Sequence, residues 1–190
     1  MLRPIPWPTY SRTTSNPAPR ATCSTAAPMS ESRPPGRICE IPASSASSVT
    51  RTSLSGSAEA DKLVRVTEEA LEAGIAQIRP GGRLSDIGAA VEQVARGAGF
   101  EVVREYVGHG IGRNMHEDPQ IPNYGRPGRG PVLKPGLVVA VEPMVNAGGW
   151  ETSLLPDGWT VVTEDGSLSA HFEHTIAVTE DGYEVLTARG

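Results

Sequence analysis

The sequence changes character near residue 57, and this break limits a folded core to the part of the chain that follows. Residues 1–57 contain nine of the 17 prolines, twelve serines and six arginines, but no lysine and no aspartate. With two acids, Glu31 and Glu40, they carry a net charge of +4. The whole chain has a net charge of −5, so residues 58–190 carry −9. A Pro/Ser/Arg-rich stretch without periodic apolar residues cannot bury a core. We predict that residues 1–57 are disordered or out of frame and that residues 58–190 form one domain.

Two helices are predicted at the start of this domain. The first has apolar residues at helical spacing with charged residues between them, namely Val64, Leu71, Ile75 and Ile78. It should end at Pro80-Gly81-Gly82. The second should have Ser85 as its N-cap and end near Gly97. Neither helix carries residues that suggest chemistry.

Short strand-like runs follow the helices. They cover residues 101–107, 137–141, 159–163, 170–178 and 183–186. We expect the run at 159–163 to pair with the run at 170–178, and we expect the Pro/Gly-rich stretch from His116 to Leu133 to be a surface loop. The fold class is therefore α+β, with two helices followed by a mostly antiparallel sheet.

Residues 108–119 contain two of the four histidines and three glycines in a segment without helical or strand periodicity. Glycines at 108, 110 and 112 should allow positive φ angles or a close approach to a ligand. The segment predicts a loop shaped around a site, with His109 at its tip.

Two carboxylates lie next to apolar strands. Glu142 follows the apolar run 137–141, and Glu173 lies inside the run 170–178. A carboxylate buried there needs a partner, and a metal ion is the strongest one. The alternation of side chains along a strand places His171 on the same face as Glu173 and His174 on the opposite face, so we interpret His174 as a structural residue.

Five motifs, in this order, give the chain a family resemblance: G-H-G-I-G-R-x-x-H-E-x-P, L-K-P-G, V-E-P-M-V, D-G-W-T and S-L-S-A-x-F-E-H-T. From about Ala58 onward the sequence resembles the C-terminal half of a type I methionine aminopeptidase. The resemblance implies the pita-bread (creatinase/aminopeptidase-like) fold, here mainly its C-terminal half with a curved, mostly antiparallel sheet.

The resemblance implies a metal-dependent aminopeptidase that removes the initiator methionine by two-metal hydrolysis. His109, Glu142 and Glu173 correspond to metal ligands for two divalent metal ions, which could be Co, Mn, Fe or Zn. Glu142 would also shuttle the proton, and His116 corresponds to a second catalytic histidine that binds the substrate. Without the resemblance, His116 would be interpreted as a loop histidine bonded to a neighbouring carboxylate.

Three further residues have roles that the resemblance leaves open. Met115 and Trp159 correspond to the wall of a methionine pocket, although Trp159 could equally pack on its own strand. His171 stands where the family commonly has glutamine, and it could perturb the surroundings of the ligands or become an adventitious ligand.

The implied partners are the N-termini of nascent polypeptides. This substrate implies a cytoplasmic location and allows an association with the ribosome, and a complete chain is expected to be a monomer. The net negative charge gives no reason to expect DNA as a partner, and no apolar run has transmembrane length.

The family's two aspartate ligands are not found, because no aspartate precedes Asp61. We expect the literal chain to have little or no peptidase activity. A non-catalytic binding relative is one alternative, and a gene fragment or frame error is another. The gene fragment or frame error is preferred, because it explains both the intact C-terminal half and the unusual N-terminal segment. Codons compatible with residues 48–53 can also encode Gly-Asp-Thr-Asp-Val in another frame.

Overall fold

The computed structural model of the protein describes residues 57–188, so the expectations for residues 1–56 lie outside the described part of the chain. The helices are α1 (Ala58–Ile75) and α2 (Leu84–Gly97). The strands are β1 (Glu101–Val102), β2 (Gly108–Gly110), β3 (Glu117–Ile121), β4 (Val138–Val141), β5 (Met144–Asn146), β6 (Thr152–Leu154), β7 (Val161–Thr163), β8 (Ser169–His171), β9 (His174–Val178) and β10 (Tyr183–Val185).

Helix α1 begins at Ser57, whose side-chain oxygen accepts a hydrogen bond from the backbone N–H of Ala60 at 3.2 Å. The helix ends at Ile75, five residues before Pro80, and Ile78 is buried from the turn that follows. The apolar spacing therefore predicted the helix correctly but extended it by one turn, because a buried residue beyond the helix kept the same periodicity.

Helix α2 begins one residue after Arg83, so the predicted N-cap Ser85 is wrong. The Asp86 carboxylate accepts the backbone N–H of Arg83 at 3.1 Å and that of Gly128 at 2.6 Å. The Ser85 hydroxyl is used elsewhere, because it donates to the carbonyl of Arg129 at 2.7 Å and accepts from the N–H of the same residue at 2.8 Å.

Replacement of Ser85 by alanine should loosen the loop around Arg129. Both hydrogen bonds to the Arg129 backbone would be lost at an exposed position, so we expect a loss of about 1 kcal/mol in the free energy of unfolding. Urea unfolding of Ser85→Ala checks this. An unchanged midpoint would contradict the proposed tether.

All strand pairs within residues 57–188 are antiparallel, which agrees with the mostly antiparallel sheet that was predicted. One sheet has the order β10-β9-β4-β2-β3, a second has the order β1-β5-β8, and β6 pairs with β7 in a hairpin. Apolar residues of both helices pack on the first two sheets in two clusters. The cluster on the five-stranded sheet contains Leu71, Ile75, Ile87, Val139 and Ile176, and the cluster on the three-stranded sheet contains Leu63, Val91, Val102, Val145 and Ala170.

Three strand predictions need correction. The strand predicted over 101–107 is only β1, because the chain leaves the ladder and Arg104 stacks over the rings of Tyr124 and Trp150. The predicted loop after His116 contains β3, and its Pro119 is tolerated because β3 is an edge strand. Strand β7 pairs with β6 and not with the run 170–178.

The run 170–178 is itself divided between two sheets. Strand β8 pairs with β5, whereas β9 pairs with β4 and β10. Phe172 and Glu173 form the corner between the two strands. This corner brings Glu173 to the same region as the end of β4.

Neither of the two described helices is both long enough and apolar enough to cross a membrane.

Candidate metal centre

Strand β2 lies in the five-stranded sheet between β3 and β4, so the segment predicted as a site loop begins as a strand. A Cβ atom at Gly108 would collide with the carbonyl oxygen of Ala140, and one at Gly110 would collide with that of Asp118. The glycines are therefore needed for the close approach of neighbouring strands. None of Gly108, Gly110 and Gly112 has a positive φ, so that part of the prediction is wrong.

The imidazole of His109 has a defined orientation. Its Nδ1 lies 3.0 Å from the carbonyl oxygen of Gly110 and must donate, since a carbonyl only accepts. Nδ1 therefore carries a proton, and Nε2 faces Oε1 of Glu142, 3.4 Å away. A carbonyl that fixes the tautomer in this way is typical of a histidine that binds a metal.

Three further ligand atoms converge where β4 ends and the corner between β8 and β9 begins. One ligand atom from each of Glu142, His171 and Glu173 lies within 4.8 Å of the others. Oε2 of Glu142 lies 3.8 Å from Nε2 of His171. The predicted ligands Glu142 and Glu173 are thus brought together, and His109 approaches the other oxygen of Glu142.

The two remaining histidines differ in their surroundings. The ring of His116 lies against that of His109, with 4.1 Å between the centroids. Burial and then the charge of His109 lower the pKa of His116 below its usual value. Nδ1 of His174 forms a 2.8 Å hydrogen bond with the Thr187 hydroxyl. This contact agrees with the structural role predicted for His174.

His171 is buried, with 7% of its surface exposed, and burial lowers its pKa to about 4. Neither of its ring nitrogens has a hydrogen-bond partner among residues 57–188. A buried imidazole without partners is unfavourable in a finished fold, so a partner from outside residues 57–188 is expected at this position.

A divalent metal ion fits these donors. Glu142 and Glu173 place two carboxylates close together in a partly buried position, where they repel each other unless a cation lies between them. Carboxylate oxygens combined with imidazole nitrogens suit Mn, Fe, Co or Zn. The orphaned nitrogens of His171 point to the same group.

The segment between His109 and His116 is held by Glu117. Its carboxylate accepts hydrogen bonds from the backbone and side-chain nitrogens of Asn114, at 2.8 and 3.1 Å. A Cβ atom at Gly112 would collide with the same carboxylate. Glu117 therefore shapes the turn that carries His116.

Asn123 is a positioning residue that the sequence did not reveal. It is fully buried, and its side-chain amide donates to the backbone carbonyl of Glu142 at 3.3 Å. An asparagine in a Pro/Gly-rich stretch predicts only a turn, so no signal in the sequence marks this contact.

The predicted pocket residues lie at the surface of the described chain. Met115 is 70% exposed and Trp159 is 63% exposed. Trp159 precedes β7 in a turn where the Asp157 carboxylate accepts its backbone N–H at 3.0 Å. Their assignment to a methionine pocket stays a prediction.

The sequence model of metallopeptidase family M24 matches residues 39–180. The chain belongs to this family. Members of this family are metallopeptidases, and the cluster of carboxylates and an imidazole in this chain is a donor set that suits a metal ion.

Relatives of this M24 chain include methionine aminopeptidases. Methionine aminopeptidase A of Synechocystis is 59% identical over 128 residues, which are 67% of this chain and 51% of the relative. The crystal structure of methionine aminopeptidase from Thermotoga maritima is 53% identical, covering 70% of this chain and 53% of the relative, with a TM-score of 0.69. The resemblance predicted from the motifs is confirmed. The chain spans about half the length of the curated relatives it matches.

The fold extends to more distant members. Prolidase from Pyrococcus furiosus is 21% identical, covering 68% of this chain and 33% of the relative, with a TM-score of 0.52. At this identity the likeness concerns the fold alone. The two helices and antiparallel sheets agree with the predicted α+β pita-bread fold, which is thereby confirmed.

Proposed function

We propose that this chain carries the metal-binding half of an aminopeptidase that removes the N-terminal methionine from polypeptides. The observation that carries the proposal is the convergence of Glu142 and Glu173 beside imidazole nitrogens, in a fold whose relatives are named methionine aminopeptidases. Acidic clusters at a surface are common. These carboxylates are partly buried, and Nε2 of His109 lies 3.4 Å from an oxygen of Glu142.

In this proposal His109, Glu142 and Glu173 hold the metal. Divalent metal ions would polarise the scissile carbonyl and make water a better nucleophile at neutral pH. The Glu142 carboxylate takes a proton from the attacking water and delivers it to the departing amine. His116, whose ring lies against His109, donates a hydrogen bond to the carbonyl oxygen as its charge develops.

The substrate side of the proposal comes from the names of the relatives and from two apolar side chains. Met115 and Trp159 offer apolar surface to a methionine side chain. The partners in this proposal are the N-termini of nascent polypeptides. The protein would bind them in the cytoplasm, near ribosomes, and would act as a monomer. Neither DNA nor a membrane has a role in this proposal.

The 190-residue chain should bind one divalent ion and hydrolyse peptides poorly. Three protein ligands support one metal, whereas two-metal hydrolysis needs further carboxylates, and no aspartate precedes Asp61. We expect turnover of a Met-Ala-Ser peptide at least about 1000-fold slower than that of the Thermotoga relative, consistent with the loss of one metal's transition-state stabilisation. Metal content by mass spectrometry and peptide cleavage by chromatography measure both quantities.

Metal content and peptide cleavage together distinguish three outcomes. Peptide cleavage at the relative's rate, abolished by a chelator and accompanied by two bound metals, would contradict the expected low activity. Failure to bind any divalent metal would contradict the metal site itself. One bound metal with no peptide cleavage, in a chain whose coding frame is confirmed by resequencing, would favour the non-catalytic binding alternative.

A further inference from the structure

The imidazole of His171 lacks a structural explanation within the protein. It ends strand β8, where its backbone pairs with Met144 of β5. Its side chain is 8% exposed, and both ring nitrogens lack hydrogen-bond partners among the described residues. A polar group buried in this way destabilises a fold unless a partner is supplied. The partner must therefore come from outside residues 57–188.

The Glu142 carboxylate approaches this ring but does not serve as its hydrogen-bond partner. Oε2 of Glu142 lies 3.8 Å from Nε2 of His171, which is too long for a hydrogen bond. The distance suits two atoms that share an ion. Ligands that each lie about 2.1 Å from one metal are separated by roughly 3–4 Å. Glu173 brings a third ligand atom, and all three lie within 4.8 Å of one another.

Glu142 is placed between two imidazoles. Its Oε1 faces Nε2 of His109 at 3.4 Å, and its Oε2 faces Nε2 of His171 at 3.8 Å. The two sides of the carboxylate are thus occupied by nitrogen donors, and Glu173 lies on the His171 side. His171, whose buried ring has no hydrogen-bond partner among the described residues, is therefore the imidazole that lies close to both glutamates.

We propose that His171 is itself a metal ligand, additional to His109, and that it contributes an imidazole nitrogen to the divalent ion held by Glu142 and Glu173. This rests on the proposed function only in placing an ion at Glu142 and Glu173. The additional nitrogen donor favours Zn²⁺ or Co²⁺ over the oxygen-preferring Mg²⁺ and Ca²⁺. His171 would thus add a nitrogen ligand to the three that are already proposed, His109, Glu142 and Glu173.

The test compares His171→Gln with the matched control His174→Gln in the full 190-residue chain. Both substitutions replace an imidazole with an amide in neighbouring positions, but His174 bonds to Thr187 and lies outside the cluster. Calorimetric titration with Zn²⁺ should give an affinity at least about tenfold weaker for His171→Gln, whereas His174→Gln should stay within about twofold of the parent. The visible spectrum of the Co²⁺ form should change only in His171→Gln.

A second measurement needs no substitution at the site. Nitrogen-15 NMR of the parent chain should show one ring nitrogen of His171 shifted on addition of Zn²⁺, with His174 unchanged. The nitrogen-15 shift of the His171 ring shows whether His171 binds the metal even if His171→Gln does not fold. Zn²⁺ binding that leaves the His171 ring and the His171→Gln affinity unchanged would overturn the His171 ligand alone. Absence of any Zn²⁺ binding by the parent would overturn both this inference and the proposed function.

Discussion

Replacement of Glu142 by glutamine should weaken divalent metal binding at least about 100-fold, because it removes the carboxylate whose two oxygens face both imidazoles. The loss should exceed that of any other single substitution at the centre. Calorimetric titration with Zn²⁺ measures it. Glu164→Gln is the charge-matched control, since Glu164 is exposed and its backbone N–H bonds to Glu151. We expect that variant to bind like the parent.

The same substitution should have the opposite effect on stability when a chelator is present. In the metal-free chain Glu142 lies close to the Glu173 carboxylate. A glutamine removes the repulsion between the two carboxylates, so we expect a gain of about 1 kcal/mol in the free energy of unfolding. A metal-free Glu142→Gln variant that is less stable than the parent would contradict this geometry.

Gly88→Ala should lower the free energy of unfolding by about 3 kcal/mol, because a new Cβ atom would be forced into backbone that cannot move aside. Gly88 lies in the middle of α2, and the added atom would meet the carbonyl oxygen of Pro122 and the backbone nitrogen and oxygen of Tyr124. Helix α2 would have to move away from the segment 122–124. Urea unfolding followed by circular dichroism measures the change.

Gly97→Ala is the matched control on the same helix. Gly97 is the last residue of α2, it is exposed, and a Cβ atom there would have no heavy atom within 4 Å. Alanine should stabilise this position by up to about 1 kcal/mol through its better helix propensity. Equal stabilities of Gly88→Ala and Gly97→Ala would contradict the packing of α2.

A consequence for the metal centre follows from the same contact. Asn123 lies between the two residues that meet Gly88, and its amide bonds to the carbonyl of Glu142 at 3.3 Å. A displaced 122–124 segment should therefore weaken Zn²⁺ binding in Gly88→Ala, although Gly88 is not a ligand. Gly97→Ala should leave the affinity unchanged.

Features that depend on local patterns could be predicted from the sequence. Helical spacing predicted α1, and the apolar run before Glu142 predicted a strand that ends just before a partly buried acid. The alternation argument placed His171 with Glu173, and the structure brings them together, but at the corner between β8 and β9 and not along one continuous strand. The helix and strand predictions succeed because neighbouring residues alone determine the periodicity of a helix or strand.

Features that depend on distant partners could not be predicted. The partner of β7 is β6, and periodicity carries no information about which strand a segment will join. The break at Phe172 and Glu173 interrupts a run that reads as one strand in the sequence. The chain turns there because β8 and β9 pair with strands of two different sheets. Asn123 acts through a carbonyl 19 residues away, which no local pattern can indicate.

The most direct test of the metal centre is anomalous diffraction from crystals of the full chain grown with Zn²⁺. The account predicts one strong anomalous peak about 2.0–2.2 Å from a carboxylate oxygen of Glu142, from one of Glu173 and from an imidazole nitrogen. A peak at this position in the parent that disappears in Glu142→Gln would support it. No peak between these residues, or a peak only at surface carboxylates such as Glu151 and Glu164, would contradict it.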